Sequence, residues 1–181
     1  MKTIILLTLL CFTTITFGQK KKKFDLNLTN AIVVGQTDNG ADRYSIEVNL
    51  TEILNSNGVL AIPALNVAKT GADAKILASD SMKAVLAAKG IDTYVLVTVR
   101  GYDRRFKPAE TQVDLSSELQ RANLFQLYQM DLVSVSFELK FYRNDECVYS
   151  EIIRIGSIGS RESVIKKFRK KVNKLLKKRW K

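Results

Sequence analysis

The stretch of residues 80–100, DSMKAVLAAKGIDTYVLVTVR, constrains the fold more than any other part of the sequence. Asp80 or Ser81 can cap the start of a helix, and Gly90 stands where a helix that ends in a left-handed residue favours glycine. Three apolar side chains share one face of the helical period: Met82, Val85 and Leu86. Tyr94–Val99 is β-branched and almost continuously apolar, as in a strand covered on both faces. Helix, glycine, turn and buried strand together predict half of an α/β layer unit.

The N-terminus predicts export. Met1 and Lys2 precede an apolar run of about 14 residues, which is within the usual length of the core of a secretory signal. Small residues before the Gly18–Gln19 bond predict cleavage there, so residues 1–18 are interpreted as a signal peptide. A retained anchor is the alternative, although the run is shorter than the roughly 20 residues that span a bilayer. Cys11 raises the further alternative of lipidation, but Leu10 precedes it where a lipobox needs a small residue.

The remaining chain of about 163 residues is long enough for one domain with a substantial core. It contains a single cysteine, Cys147, which can form no internal disulfide bond. The sequence contains no histidine, so it lacks the most common general base and metal ligand. Carboxylates are scattered without metal-ligand spacing, and no phosphate-binding loop is present. We therefore expect no catalysis and no cofactor.

Positive charge is concentrated at the two ends of the sequence. Residues 20–23 are four consecutive lysines, and residues 19–30 are expected to form a basic, mobile lead-in to a domain that spans residues 31–181. Residues 24–160 carry 13 basic and 17 acidic side chains, a net charge of −4. Residues 161–181 carry 11 basic side chains and one acidic side chain, a net charge of +10. The protein is thus predicted to be a mildly acidic body with strongly basic ends.

The first half of the domain predicts alternating strands and helices. Ala31–Gly35 is a short apolar run typical of a buried strand. Residues 42–54 fit either a strand by alternation or a helix by the spacing of Ile46, Leu50, Ile53 and Leu54. A helix is favoured because it alternates with the neighbouring strands. Residues 59–65 then predict a strand, which Pro63 places at an edge or an end.

The second half predicts a helix, a hairpin and a final helix. Asp114 can cap a helix whose apolar residues continue to Leu127. Residues 132–142 alternate clearly, so we expect a strand with one solvated face. Its apolar residues are Val133, Val135, Phe137, Leu139 and Phe141, and its polar ones are Ser134, Ser136, Glu138 and Lys140. A turn at residues 143–146 leads to a returning strand over residues 147–155, and a glycine-containing joint precedes a helix from Arg161 to Trp180.

These elements predict a single α/β (α+β) domain with a mixed sheet of about five strands and helices packed on it. Their order is strand AIVVG, helix, strand, a helix ending in AAKGIDTYVLVTV, a hairpin around FYRNDECVYS, and a final helix. In this layout the chain resembles the TolB amino-terminal-domain-like and CsgG-like modules of exported bacterial proteins. The hairpin glycine expected for them is missing, because Asp145-Glu146 stands there. The resemblance implies a periplasmic accessory or assembly role without catalysis.

The C-terminal helix is the first candidate for a functional surface. An apolar stripe runs along it, and basic residues cover its other sides. One interpretation is a helix that packs its stripe on the sheet while its charges are only solvated. The other is contact with an anionic surface, phospholipid or an acidic partner, for which a basic helix with an interfacial tryptophan is suited. The candidate residues are Lys166, Lys167, Lys170, Lys171, Lys174, Lys177, Lys178, Arg179 and Trp180.

A second candidate is the loop after the central strand, where Tyr102, Arg104 and Arg105 could hold a small anionic ligand. The alternative is an exposed loop that packs its aromatic residues locally. Nucleic acid is a less favoured partner than an anionic membrane, because no recognition motif accompanies the basic residues and the protein is expected to be exported. A small-molecule substrate is disfavoured too.

Two functional hypotheses follow. The first is a non-enzymatic envelope protein, periplasmic or associated with the outer membrane, whose basic helix contacts an anionic membrane surface or an acidic envelope protein. The second is an assembly or scaffold module that binds another envelope protein through its sheet, while the basic helix is only structural. They differ in where binding resides, in residues 161–181 or in the body of the domain.

Overall fold

The computed structural model describes residues 26–68, 74–109, 113–121 and 123–180. It confirms an α/β fold with one five-stranded mixed sheet in the order β2-β1-β3-β4-β5. The first three strands are parallel, and β4 and β5 each run antiparallel to the strand before them in the sheet. The strands are β1 (Asn30–Gln36), β2 (Leu60–Pro63), β3 (Thr93–Tyr102), β4 (Ser134–Arg143) and β5 (Glu146–Gly156). The predicted signal peptide and the lysines of residues 20–23 lie outside the described residues.

Helical elements cover both faces of the sheet. The helices in the described ranges are α1 (Gly40–Ser56), α2 (Asp80–Ala88), α3 (Leu115–Leu119) and α4 (Arg161–Leu175). Short 3-10 turns cover Ala64–Asn66 and Ala74–Ala78, and a π-helical turn over Leu176–Trp180 extends α4. The buried apolar residues form two clusters, one on each face of the sheet. The first core contains residues of α1 and α4, and the second core contains residues of α2, α3 and the 3-10 turns.

The ambiguous segment after β1 is a helix, as predicted. Asn39 caps its start by accepting a hydrogen bond from the backbone N–H of Asp42 at 3.0 Å. Its apolar residues are buried against the sheet: Ile46, Leu50, Ile53 and Leu54. Burial of this one face explains why helical spacing prevails over the strand-like alternation of the same residues. The β2 strand is at the edge of the sheet, in agreement with the position of Pro63.

The unit built from α2 and β3 forms as predicted, with two local differences. Ser79, and not Asp80 or Ser81, caps α2 by accepting from the N–H of Met82. Of the three apolar residues predicted to share the buried face of α2, Leu86 is fully buried and Val85 is exposed. The buried face of the helix is therefore narrower than predicted. The φ of Gly90 is +73°, which confirms the left-handed end of the helix.

The prediction that β4 has one solvated face is wrong. The four polar residues of that face are at most 4 % exposed: Ser134, Ser136, Glu138 and Lys140. Segments between β3 and β4 cover this face, as Ala109 shows by donating its backbone N–H to the carboxylate of Glu138. Alternation therefore marked two chemically different faces, and both are buried.

The helix predicted after Asp114 is shorter than expected. Asp114 does cap α3 through the N–H of Ser117, at 2.9 Å, but the helix ends at Leu119. Leu127 is buried and Leu124 is exposed, so the apolar spacing that extended the prediction does not correspond to one helical face. Ala122, part of the same prediction, lies outside the described residues.

The β4–β5 turn forms without glycine. Asn144 and Asp145 occupy it with φ values of 49° and 67°. Asparagine and aspartate tolerate left-handed backbone better than other residues with a side chain, so the turn keeps the geometry that a hairpin requires. The glycine missing from the predicted pattern is therefore not needed.

The two ends of the described chain are joined by backbone hydrogen bonds. Leu26 donates its N–H to the carbonyl of Arg179 at 3.1 Å, and Leu28 donates to that of Trp180 at 2.6 Å. Both leucines are buried in the first core. Residues 26–30, predicted as the end of a mobile lead-in, therefore belong to the folded body.

Candidate anionic-surface site on the C-terminal helix

The start of α4 is fixed by a capping box. The hydroxyl of Ser160 accepts from the N–H of Ser163, and the hydroxyl of Ser163 accepts from the N–H of Ser160, each at 3.2 Å. Glu162 lies in the first turn, where hydrogen bonds from its own backbone N–H and from Ser160 lower its pKa. Lys174 lies in the last turn, where a positive charge suits the negative end of the helix dipole.

The apolar stripe of α4 packs inward. Its five central members are buried in the first core: Val164, Phe168, Val172, Leu176 and Trp180. The Phe168 ring lies 5.0 Å from that of Phe137 on β4, and the Trp180 ring lies 5.0 Å from that of Phe141. Trp180 has an exposure of 0 %, so it is a core residue and not the interfacial tryptophan that the sequence predicted. The stripe is thus unavailable to a membrane in this fold.

Two of the candidate lysines hold the edge of the sheet. Lys167 donates its Nζ to the backbone carbonyls of Gly156 at 3.0 Å and Ser157 at 2.6 Å. Lys171 donates its Nζ to the carbonyl of Arg154. The carbonyls of Arg154 and Gly156 lie at the open side of β5, so the two lysines occupy acceptors that another strand would use. Both side chains have a structural role.

Besides Arg161, which lies 2.7 Å from the buried Asp42 of α1, two arginines of the helical end form ion pairs with the body. Arg169 donates to Glu52 of α1 at 2.7 Å and to the side-chain oxygen of Asn49 at 2.6 Å. Arg179 lies 3.1 Å from Glu151 of β5, and its hydrogen bond to the Tyr149 oxygen together with the charge of Glu151 raises its pKa. These exposed pairs position the helix but stabilise it only modestly.

Five lysines of the helical end remain exposed, without an ion pair or hydrogen bond to the described residues: Lys166, Lys170, Lys174, Lys177 and Lys178. Lys170, Lys174 and Lys177 recur at spacings of four and three residues, which places them on the side of the helix opposite Phe168. The structure therefore separates the predicted set into basic residues that serve the fold and basic residues that face solvent.

A groove of about 520 Å³ lies between β5 and α4. Lysines form one wall, and the floor contains apolar residues of the strand. The lining residues are Glu151, Ile152, Ile153, Arg154, Ile155, Gly156, Lys167, Lys170, Lys171, Lys174 and Leu175. Ammonium groups along an open groove favour anionic groups at this side of the molecule.

The loop after β3 does not gather its basic residues around a ligand. Arg104 and Arg105 are both exposed. Tyr102 donates its hydroxyl to the carbonyl of Gln126 at 2.7 Å and packs edge-on against Phe125 with ring centres 5.5 Å apart. Tyr102 is thus engaged in local packing, and its burial raises the pKa of its hydroxyl.

A buried charged network under this region was missed by the sequence reasoning. Lys140 of β4 donates its Nζ to the carboxylate of Glu118 on α3 at 2.6 Å, and both side chains are almost completely buried. Glu138 is 3.3 Å from Arg100 of β3. Gln36 of β1 donates its amide to the carbonyl of Glu118 at 2.6 Å. The network ties the covering segments to the sheet. The charged residues on the alternating face of β4 were its only sequence signal.

The remaining reactive groups of the described residues have structural surroundings. Cys147 is half-buried, and burial raises the pKa of its thiol, so little of the nucleophilic thiolate forms near neutral pH. Burial, with a smaller contribution from Asp145, raises the pKa of Tyr94 to about 12. In the described ranges, no three Cys, Asp or Glu side chains come together as a metal ion requires. No helix in these ranges has the length and apolar character needed to cross a membrane.

Comparison with known proteins gives only distant similarities. No protein-family model matches the chain, and no curated protein shows significant similarity to it. The solved structures that it resembles include lipoprotein GNA1162 from Neisseria meningitidis, with 17 % identity and a TM-score of 0.44 over 82 % of this chain and 98 % of that one. They also include a PelC dodecamer from Paraburkholderia phytofirmans, with 12 % identity and a TM-score of 0.44 over 86 % and 90 %. Similarities this weak carry no functional argument, and the resemblance to TolB-like and CsgG-like modules stays a prediction.

Proposed function

We propose that this protein is a non-enzymatic protein of the bacterial envelope that attaches to an anionic membrane surface through α4. The observation that carries the proposal is the set of exposed lysines that have no carboxylate partner in the described part of the chain. These lysines leave their charge available to an external anionic surface, whereas Arg169 shares its charge with Glu52. The apolar stripe plays no part in attachment, because it is buried in the core.

Attachment is therefore electrostatic and peripheral. A lysine near an anionic membrane contributes about 1 kcal/mol, so four of them contribute roughly 4 kcal/mol, or about a thousandfold in affinity. High salt screens such an interaction, because the Debye length falls from about 10 Å at 0.1 M to about 3 Å at 1 M. The proposal predicts binding to anionic vesicles that depends strongly on salt.

The test is co-sedimentation of the exported, processed protein with two kinds of vesicle at about 0.1 M and about 1 M salt. One kind contains equal parts of phosphatidylglycerol and phosphatidylcholine, and the other contains phosphatidylcholine alone. The mass of the purified protein shows whether it begins at Gln19. The variant changes four exposed lysines: Lys170→Gln, Lys174→Gln, Lys177→Gln and Lys178→Gln. We expect it to bind the anionic vesicles roughly 10²- to 10³-fold more weakly than the wild type.

A matched pair of variants separates position from net charge. Lys170→Gln/Lys174→Gln removes two charges from α4, and Lys75→Gln/Lys89→Gln removes two from exposed positions near the opposite face of the sheet. Only the first pair should weaken binding, by roughly 30-fold. Equal losses would indicate a nonspecific response to net charge, and no binding by the folded wild type would refute attachment.

A second candidate function is an assembly module that binds another envelope protein along β5. The observation in its favour is that β5 is an edge strand of 11 residues, whose acceptors at Arg154 and Gly156, near its C-terminal end, are taken by Lys171 and Lys167. Because the carbonyls of Arg154 and Gly156 point to the open side, the N–H of Ser150 points there too. Ser150→Pro removes this outward donor without removing a hydrogen bond to β4, so it should abolish binding by strand addition. Vesicle binding should be unchanged in this variant.

A further inference from the structure

Large apolar side chains project from the loop that leads into β4. Leu124 is 86 % exposed, Met130 76 % and Val133 66 %, and Phe125 is exposed as well. They account for half of the exposed large apolar residues in the described ranges, although they lie within ten positions of one another. We call residues 123–133 the apolar loop. Such a concentration of exposed apolar residues on one loop is typical of an interaction surface.

The apolar loop is anchored on both sides of Leu124 and Phe125. The Asn123 amide donates to the carbonyl of Gln36 at 2.8 Å, and both residues are buried. The N–H of Leu127 donates to the carboxylate of Asp42 at 2.8 Å, and the Leu127 side chain is fully buried. Leu124 thus lies between two residues that are hydrogen-bonded to the body. These contacts hold this part of the loop in place while the Leu124 side chain is exposed.

Basic residues lie directly beside the apolar loop. The carboxylate of Asp103 accepts from the N–H groups of Val133 at 3.1 Å and Ser134 at 2.6 Å. This contact holds the loop after β3 against the apolar loop, and the two residues that follow Asp103 are the exposed Arg104 and Arg105. Exposed apolar side chains and guanidinium groups therefore stand on two loops that are joined at Asp103.

This composition fits a lipid surface better than a protein groove. The groove between β5 and α4 lies elsewhere on the molecule. A lipid interface accepts single protruding side chains without a matching shape, whereas a protein partner needs complementary contours. A second copy of this chain is disfavoured, because a symmetric contact would bring Arg104 and Arg105 against the same residues of the partner.

We propose that the apolar loop inserts its exposed side chains into an anionic lipid interface, with Arg104 and Arg105 contacting the headgroups. Insertion buries apolar carbon at about 0.8 kcal/mol per methylene and adds a salt-resistant component to binding. This surface is separate from the exposed lysines of α4. It lies where α4 begins, as the hydrogen bond from Tyr128 to the carbonyl of Gly159 shows, whereas Lys177 and Lys178 lie at the other end.

The test measures insertion directly by fluorescence quenching. Leu124→Trp places an indole on the loop, and vesicles of phosphatidylglycerol and acyl-brominated phosphatidylcholine quench an indole that enters the acyl region. The native Trp180 is buried and provides a constant background that also reports on folding. Tyr44→Trp, at an exposed position of α1, is the control. We expect quenching and a blue shift for Leu124→Trp and neither for Tyr44→Trp.

A second variant measures the contribution of insertion to affinity. Leu124→Ser/Met130→Ser/Val133→Ser should bind anionic vesicles at least about tenfold more weakly, with the larger relative loss at high salt. Unchanged affinity, or no quenching of Leu124→Trp on sedimented vesicles, would overturn insertion. Sedimentation equilibrium provides a further check. If the wild type is a dimer and this triple variant is a monomer, insertion is overturned, because the loop is then a contact between copies.

A combined variant distinguishes failure of loop insertion from failure of attachment through α4. The four lysine-to-glutamine substitutions of α4 are combined with Leu124→Trp, and lipid is raised until the protein sediments. Quenching in this background supports insertion whether or not α4 contributes to affinity. Sedimentation without quenching overturns insertion and leaves attachment through α4 intact.

Discussion

The buried pair of Lys140 and Glu118 allows a quantitative test of the fold. Lys140 extends from the middle of β4 to α3, and its Nζ is 2.6 Å from the Glu118 carboxylate. The side chains are 6 % and 4 % exposed. A pair of the same length exists elsewhere in the molecule, between Lys83 and Asp145, but its side chains are 34 % and 46 % exposed. The two pairs therefore differ in burial and not in distance.

Removal of one partner of a buried pair leaves the other charge without compensation. Such a change typically costs about 3–5 kcal/mol. For Lys140→Met we expect the lower end, about 3 kcal/mol, because Arg121 remains 3.5 Å from Glu118 and partly compensates its charge. The exposed counterpart Lys83→Met should cost less than about 1 kcal/mol, since solvent screens that pair.

The assay is urea unfolding followed by the emission of Trp180, which is buried in the core. Glu118→Leu and the double variant Lys140→Met/Glu118→Leu complete a double-mutant cycle. We expect the double variant to be within about 1 kcal/mol of the wild type, because no buried charge of the pair remains. If Lys140→Met costs no more than Lys83→Met, or if the two single costs simply add, the assignment of Lys140 and Glu118 as a coupled buried pair is wrong.

Three further predictions concern single side chains. Trp180→Ala should lower the free energy of unfolding by about 3–5 kcal/mol, measured by circular dichroism in urea, because it leaves a large cavity beside Phe141. Ser160→Ala should cost about 1 kcal/mol in the same assay through loss of the capping box, whereas a cost near zero would show that the cap does not stabilise α4. Burial raises the pKa of Cys147, so the folded thiol should react with iodoacetamide more slowly than the urea-unfolded thiol at pH 8, with the difference decreasing as pH rises above both pKa values. Equal rates in the chain that begins at Gln19 would contradict this.

The elements that bury one or both faces were predictable because burial leaves a periodic pattern. The helix of residues 40–56 and the strand of residues 93–102 formed where their apolar spacing indicated. The covered polar face of β4 was not predictable in the same way, since Glu138 and Lys140 carry the residue types of a solvated face. Only a partner distant in the sequence, such as Glu118, makes their burial tolerable.

The residues of the candidate site were predictable from the sequence, but which of them contact the fold and which face solvent was not. The sequence identifies a basic amphipathic helix, and the structure confirms that its apolar stripe packs inward. Whether a particular lysine faces solvent or a backbone carbonyl depends on which other element packs beside that part of the helix. Helical periodicity carries no information about that neighbour. Lys171 and Lys174 look equivalent in the sequence, yet only Lys171 donates to the sheet edge.

The end of α4 gives the molecule an electrical polarity. Residues 161–181 carry a net charge of +10, whereas residues 24–160 carry −4. The hydrogen bonds from Leu26 and Leu28 to Arg179 and Trp180 fix this end of the helix to the body, with Lys177 and Lys178 exposed beside them. The charge therefore stands at one pole above a mildly acidic body, so a negatively charged surface exerts a torque on the approaching molecule and turns that pole toward itself before contact.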